Sequence, residues 1–241
     1  MSRTHRAELQ PDPRTATSTT SRTVSAGWPL IGCALVLVGY IAVAVTIGAD
    51  FEHDLEQAAA REGVGVNALA TATQAQITHD HALYAVVTSA LLFIPPALLL
   101  IAVARIASAT GAWSANLARW SAAASAMLWW AYLALGLGLF ADPDDLPPLV
   151  RDFGPLTVPM VTTTSLFALV ALALAAECLR TAGVTPRGSR VSAVVAVVVG
   201  VLSLVGLVAS GFADPVPPIV IVPSALILGI ALRRLARRQG T

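Results

Sequence analysis

Lysine is absent from this chain, cysteine occurs twice, histidine four times, and charged residues fill only 12% of its 241 positions. Each scarcity excludes something. Without lysine there is no Walker-type phosphate loop, and no Cys-x-x-Cys pair is present for redox work. Cys33 and Cys178 lie in apolar segments, where they read as small packing residues rather than as a structural disulfide. No histidine and no acidic pair lies inside an apolar segment, which removes intramembrane serine–histidine proteolysis, helix-paired haem ligation and lipid phosphotransfer. Catalysis is therefore the least supported class; no cofactor is implied and no nucleic-acid partner is expected.

Apolar length is what the chain has in abundance. Hydrophobic residues make up 56% of it and the mean hydropathy is +0.74, too apolar for a soluble domain wrapped in a polar surface. A bilayer core takes about 20 apolar residues per helical crossing. Six segments approach or pass that length: 28–49, 82–105, 117–140, 157–179, 191–212 and a shorter 216–232, whose first half is crowded by Pro217, Pro218 and Pro223. Leu, Ala and Val follow one another without period-2 alternation, which excludes barrel strands. The predicted fold is all-α, a polytopic membrane bundle of six transmembrane helices occupying 28–232. It is flanked by a polar tail over 1–27, rich in Ser and Thr and expected to be disordered, and by a basic tail over 233–241. The apolar stretch after the first tail is longer than a signal-peptide core and no small-residue cleavage site follows it, so the tail is not read as a removable signal.

Charge then orients the bundle. Thirteen of the fifteen arginines fall on one side of the six-span reading, in the first tail, at Arg105 and Arg119, at Arg180, Arg187 and Arg190, and at Arg233, Arg234, Arg237 and Arg238. Eleven of the fourteen carboxylates fall on the other. By the positive-inside rule both termini are expected in the cytoplasm, and a five-span reading would misplace the last arginine cluster. Ammonium groups would orient loops equally well, so the exclusive use of arginine points to a GC-rich genome. The chain resembles, in style and over its whole length, multi-pass membrane proteins of GC-rich actinobacteria. That resemblance implies a plasma-membrane location and no activity.

The outer loop 50–81 is long enough to hold structure. Phe51, Leu55 and Ala58 fall at helical spacing, as do Val66, Leu69, Ala70, Thr73 and Ile77, with Gly63 and Gly65 between, which predicts two short surface helices. The loop also holds three of the four histidines. His53, His79 and His81 with Glu56 and Asp80, beside Glu52, form a candidate metal site, because imidazole and carboxylate together suit zinc, copper or nickel. Charged loops also need soluble polar groups, and solvation accounts for the same residues. Two later outer turns share a pattern, Phe140-Ala-Asp-Pro143 with Pro147-Pro-Leu-Val150 against Phe212-Ala-Asp-Pro215 with Pro217-Pro-Ile-Val220. Duplication of a hairpin explains it, as does the general need of outward helix ends for an interfacial Phe, an Asp and a Pro.

Within the spans the midplane is free of Asp, Glu, His and Arg, which argues against a charge-translocating machine. Glu177 sits three residues before Arg180, a spacing for an interfacial pair. Uncharged polar groups remain. Thr162, Thr163, Thr164 and Ser165, joined by Thr88 and Tyr132, form the candidate substrate-binding set, against the plainer reading that they bond to helix backbones. Pro95-Pro96 at the centre of the second span predicts a kink. Ser192, Ala196 and Gly200 form a small-residue ladder for helix packing. Trp28, Trp113 and Trp120 suit a membrane interface, while Trp129 and Trp130 lie deeper and at least one is expected to face a neighbouring helix. Three functions fit these residues. First is a non-catalytic accessory, sensory or interaction subunit, whose partners are the bilayer and another membrane protein or a second copy. The others are a small-solute permease and an extracytoplasmic metal-binding protein.

Overall fold

The structure, a computed structural model, describes residues 23–108, 113–140, 146–151 and 153–239. Most of the first tail, residues 141–145 of the first repeated turn and the end of the second tail lie outside the described residues. Among the described residues nine α-helices follow one another: α1 (Gly27–Ile47), α2 (Ala49–Glu62), α3 (Thr71–Asp80), α4 (Ala82–Ser108), α5 (Trp113–Leu137), α6 (Pro148–Arg151), α7 (Phe153–Thr181), α8 (Pro186–Ala209) and α9 (Val222–Gln239). No strand occurs among the described residues. Six helices, α1, α4, α5, α7, α8 and α9, are long and apolar enough to cross a bilayer. The chain is a multi-pass membrane protein.

Spans that are consecutive in sequence are neighbours in space. They pack in chain order, and α9 returns to pack on α1, so the six close into a ring. α7 leans inward and also touches α4 and α9. Half of its most apolar stretch is buried, against 17% for α8, whose outer face presents Val194, Val197, Val201, Leu202 and Val205. One end of the bundle carries Arg105, Arg119, Arg180, Arg187, Arg190 and the arginines closing α9; it is called the arginine end. The opposite, acidic end carries α2, α3, α6 and the turn 210–221.

At the arginine end the packing is continuous. Leu30, Ile106, Leu172, Leu179, Leu228 and Leu232 are wholly buried. Lipid is as apolar as leucine, so this core is held by close packing and interhelical hydrogen bonds more than by escape from water. Small residues permit the approach. A β-carbon on Gly27 would lie 3.0 Å from the Gly229 carbonyl oxygen, and one on Gly188 would meet the Ala231 β-carbon. Ser192 and Ser224 bond reciprocally, each hydroxyl reaching the other's carbonyl at 3.0 and 3.1 Å, which joins α8 to α9. The ladder expected on α8 therefore serves the bundle's own packing, with Ser192 and Ala196 both buried. Cys33 and Cys178 are buried and free.

Local signals set the ends. Gly183, at φ +71°, turns the chain after α7; the Val184 amide donates to the Leu179 carbonyl at 2.8 Å, and Pro186 opens α8 where no amide donor is needed. Arg180 pairs with Glu177 through Nε at 2.6 Å, as the three-residue spacing predicts. Trp28, Trp113 and Trp120 are exposed at this end, and the Arg233 guanidinium lies 4.4 Å from the Trp28 ring centre. α4 runs on through Pro95 and Pro96 as one helix, both prolines buried, with the Trp130 indole donating to the Phe93 carbonyl at 3.1 Å.

The two short helices expected in 50–81 are α2 and α3. Gly63 ends α2 at φ +68°. Gly48 joins α1 to α2 where a β-carbon would strike the Tyr84 ring at 2.7 Å. Phe51 packs beside Tyr84 with ring centres 5.0 Å apart, and the Thr73 hydroxyl donates to Glu62 at 2.8 Å. The two Pro-Pro turns share one geometry: the Val150 amide donates to the Pro147 carbonyl at 2.8 Å, and the Val220 amide to the Pro217 carbonyl at 3.2 Å. Their phenylalanines differ, since Phe140 closes a 3-10 turn while Phe212 takes a left-handed φ of +64°.

Candidate functional site

Four consecutive helical residues point in four directions about 100° apart, so Thr162, Thr163, Thr164 and Ser165 cannot share one surface. The structure divides them. Ser165 donates to the Val216 carbonyl at 2.8 Å, and Thr162 accepts from the Val216 amide at 3.0 Å. This two-point clamp fastens the loop between α8 and α9 to α7. Thr163, half-buried, borders a separate, more open depression with Gly65, Phe212 and Asp214. Thr88 bonds back to its own helix, to the Tyr84 carbonyl at 2.8 Å.

Thr164 faces inward. It is 2% exposed, and its Oγ1 is the one buried side-chain polar atom among the described residues with no hydrogen-bond partner. A threonine hydroxyl in a helix usually bonds to a carbonyl one turn back, and an unmade bond at a buried group costs about 1–3 kcal/mol. The carbonyl of Thr164 is engaged separately, accepting from the Ser125 hydroxyl at 2.9 Å.

That hydroxyl borders a cavity of about 460 Å³ in the acidic-end half of the bundle, a volume in the range of small-molecule sites. α1 supplies Leu37, Tyr40 and Val45; α5 supplies Trp129 and Tyr132; α7 supplies Thr157, Val161 and Thr164; Glu52 reaches in from α2. The remaining wall is Pro215, Pro217, Pro218 and Ile219, the segment that Thr162 and Ser165 clamp. Leu37, Trp129 and Thr164 are buried and form the floor, while Val45, Glu52 and Pro217 are exposed and form the rim. Beneath the floor the leucine core of the arginine end begins.

Of the expected binding set, then, Thr164 and Tyr132 meet at the cavity, Thr162 and Ser165 build its wall, and Thr163 and Thr88 lie elsewhere. Tyr40 and the prolines were not anticipated. A lone tyrosine in an otherwise apolar first span was the available signal, and the prolines read only as a weakening of the last span.

The histidines are arranged differently. His81 caps α3, its Nε2 lies 2.9 Å from Asp54 Oδ2, and its ring meets Phe51 edge-on at 5.7 Å. His53, Glu56 and His79 are exposed on α2 and α3, and Asp80 accepts from the Gln76 amide at 3.2 Å. Among the described residues no three His, Cys, Asp or Glu side chains come together as metal ligands. What His81 does is join α2 to the start of α4.

The chain matches no protein-family model, no curated protein and no solved structure. Its function has to be argued from its own geometry.

Proposed function

We propose that this protein is a non-catalytic binding or sensory subunit of the plasma membrane, with the arginine end in the cytoplasm and the cavity open to the outside. The observation that carries the reading is the one-ended cavity, with an unpartnered threonine hydroxyl at its floor and a continuously packed core beneath. A hydroxyl left without a partner is what a ligand's polar group would complete. The closed lower half suits a receptor, which must report occupancy without leaking solute. The arginine distribution supports the orientation.

The test is accessibility. In intact cells, Thr164→Cys should react with a small membrane-impermeant thiol reagent added outside, whereas Leu172→Cys should stay unmodified until the protein is denatured. Reaction at Thr164→Cys only after the cells are opened would reverse the orientation, and no reaction in a folded variant would remove the site.

A permease is the second reading. Leu92, which borders the cavity, lies one turn from the buried Pro95-Pro96 pair, where α4 lacks two backbone donors and is easiest to bend. This reading requires the lower half to open. Uptake of a bound ligand into proteoliposomes, abolished by Thr164→Val with the fold intact, would put it first.

A further inference from the structure

The cavity has a chemical character beyond its size, and the following rests on its being a binding site. We propose that it takes a small amphipathic organic cation, with the ammonium group held between Glu52 at the rim and the rings of Tyr40 and Tyr132 below it, and the body lying over the floor formed by Leu37, Trp129 and Thr164.

Among the described residues Glu52 is the one charged residue bordering the cavity, and no arginine or histidine borders it. The ion pairs among the described residues are His81 with Asp54 and Arg180 with Glu177, so the Glu52 carboxylate has no counter-ion among them. Three rings, Tyr40, Trp129 and Tyr132, border the same space from α1 and α5. Aromatic faces attract cations through their quadrupole, and more strongly once water is excluded. A carboxylate joined to several rings suits an alkylammonium or aryl-ammonium group and disfavours an anion, for which the described lining offers no cationic partner. The wider field agrees. Asp50, Asp54, Glu56, Asp80 and Asp214 share this end, and all but two of the chain's arginines lie elsewhere in the sequence pattern. Such a surface concentrates cations at its mouth. Thr164 then adds selectivity, because at the floor it can bond a hydroxyl or amide at the far end of the ligand.

Two methanethiosulfonate reagents of similar size, one bearing trimethylammonium and one sulfonate, test this on full-length Thr164→Cys protein. With each rate divided by that reagent's rate toward a simple thiol in solution, which removes the thiolate's own preference for a cation, the cationic reagent should react faster, by about tenfold, as expected for one partly screened charge nearby. Adding Glu52→Gln should bring the two rates close together, while Asp54→Asn leaves most of the bias. Benzyltrimethylammonium should protect the cysteine, and p-toluenesulfonate should not. Equal rates with Glu52 present, or protection by the sulfonate alone, would overturn the cation assignment while leaving a binding site. Silence toward both reagents would instead remove the site. Should Thr164→Cys fail to fold, Val161→Cys borders the same cavity. The unaltered protein in detergent gives an independent reading: its unfolding temperature should rise with benzyltrimethylammonium and not with p-toluenesulfonate, and the reverse would overturn the proposal.

Discussion

At the arginine end, Leu30, Ile106, Leu172 and Leu228 are wholly buried, and the backbones of α1 and α9 approach through Gly27 and Gly229. At the acidic end α1, α5 and α7 stand apart around a cavity of about 460 Å³, walled by prolines and bordered by a buried hydroxyl with no partner. Composition alone does not separate the two halves, since both draw on apolar helices of the same kind. What separates them is where side chains are small and where they are bulky or cyclic. Gly, Ala and Ser let α1, α8 and α9 close on each other below, while Tyr40, Trp129, Tyr132 and the Pro215–Pro218 segment hold the upper half open. Close packing concentrates in one half of this molecule, and the proposed binding site lies in the other.

That division can be broken from below. Leu172→Ala removes a side chain packed on every side and should cost about 3 kcal/mol, read as a lower midpoint in denaturant titration of the detergent-solubilised protein. Next is Gly229→Val. A β-carbon there would lie 2.9 Å from Ile31 Cγ1 and 3.0 Å from the Gly27 carbonyl, so α1 and α9 must separate, at about 2 kcal/mol by the same titration. In the upper half, Ser165→Ala removes one point of the clamp on Val216 and should cost about 1 kcal/mol. Its more telling readout is faster hydrogen exchange at 213–221, with the lower half unaffected. The smallest effect has the opposite sign. Thr164→Val replaces an unpartnered buried hydroxyl with a methyl group of nearly the same shape, and should leave stability unchanged or raise it by up to about 1 kcal/mol. A loss of more than that would mean the hydroxyl is already satisfied within the protein, and the comparison would lose its upper term.

Much of the fold was legible because hydropathy and helix length act over 20 or so residues and tolerate local error. The six spans, the two short helices of 50–81, an inward-facing member of the Trp129–Trp130 pair and the pairing of Glu177 with Arg180 all follow from apolar length and spacing. The site was legible only in fragments. Thr162 to Ser165 were visible as a polar cluster, yet a linear run of hydroxyls does not say which will bind backbone. That depends on Val216, 51 residues beyond Ser165. Pro217 and Pro218 read as damage to a span, because their use as a wall depends on α1 and α5 standing opposite. His79 and His81 are near neighbours in the candidate metal set, whereas α3 is helical to Asp80 and the ring of His81 turns toward Asp54. In each case the deciding neighbour is remote in sequence, and short-range patterns carry no record of it.

The ring of helices is completed by α9 docking on α1, its first and last members. A ribosome delivers α1 long before α9, so the seam lined by Gly27 and Leu30 stays unfilled until α9 has been made. During that interval the first helix needs a temporary companion, from lipid or from the insertion machinery. Assembly is thus a timed event as well as a structural one, and a chain stopped short of Gly229 would present that open seam to the cell's quality control.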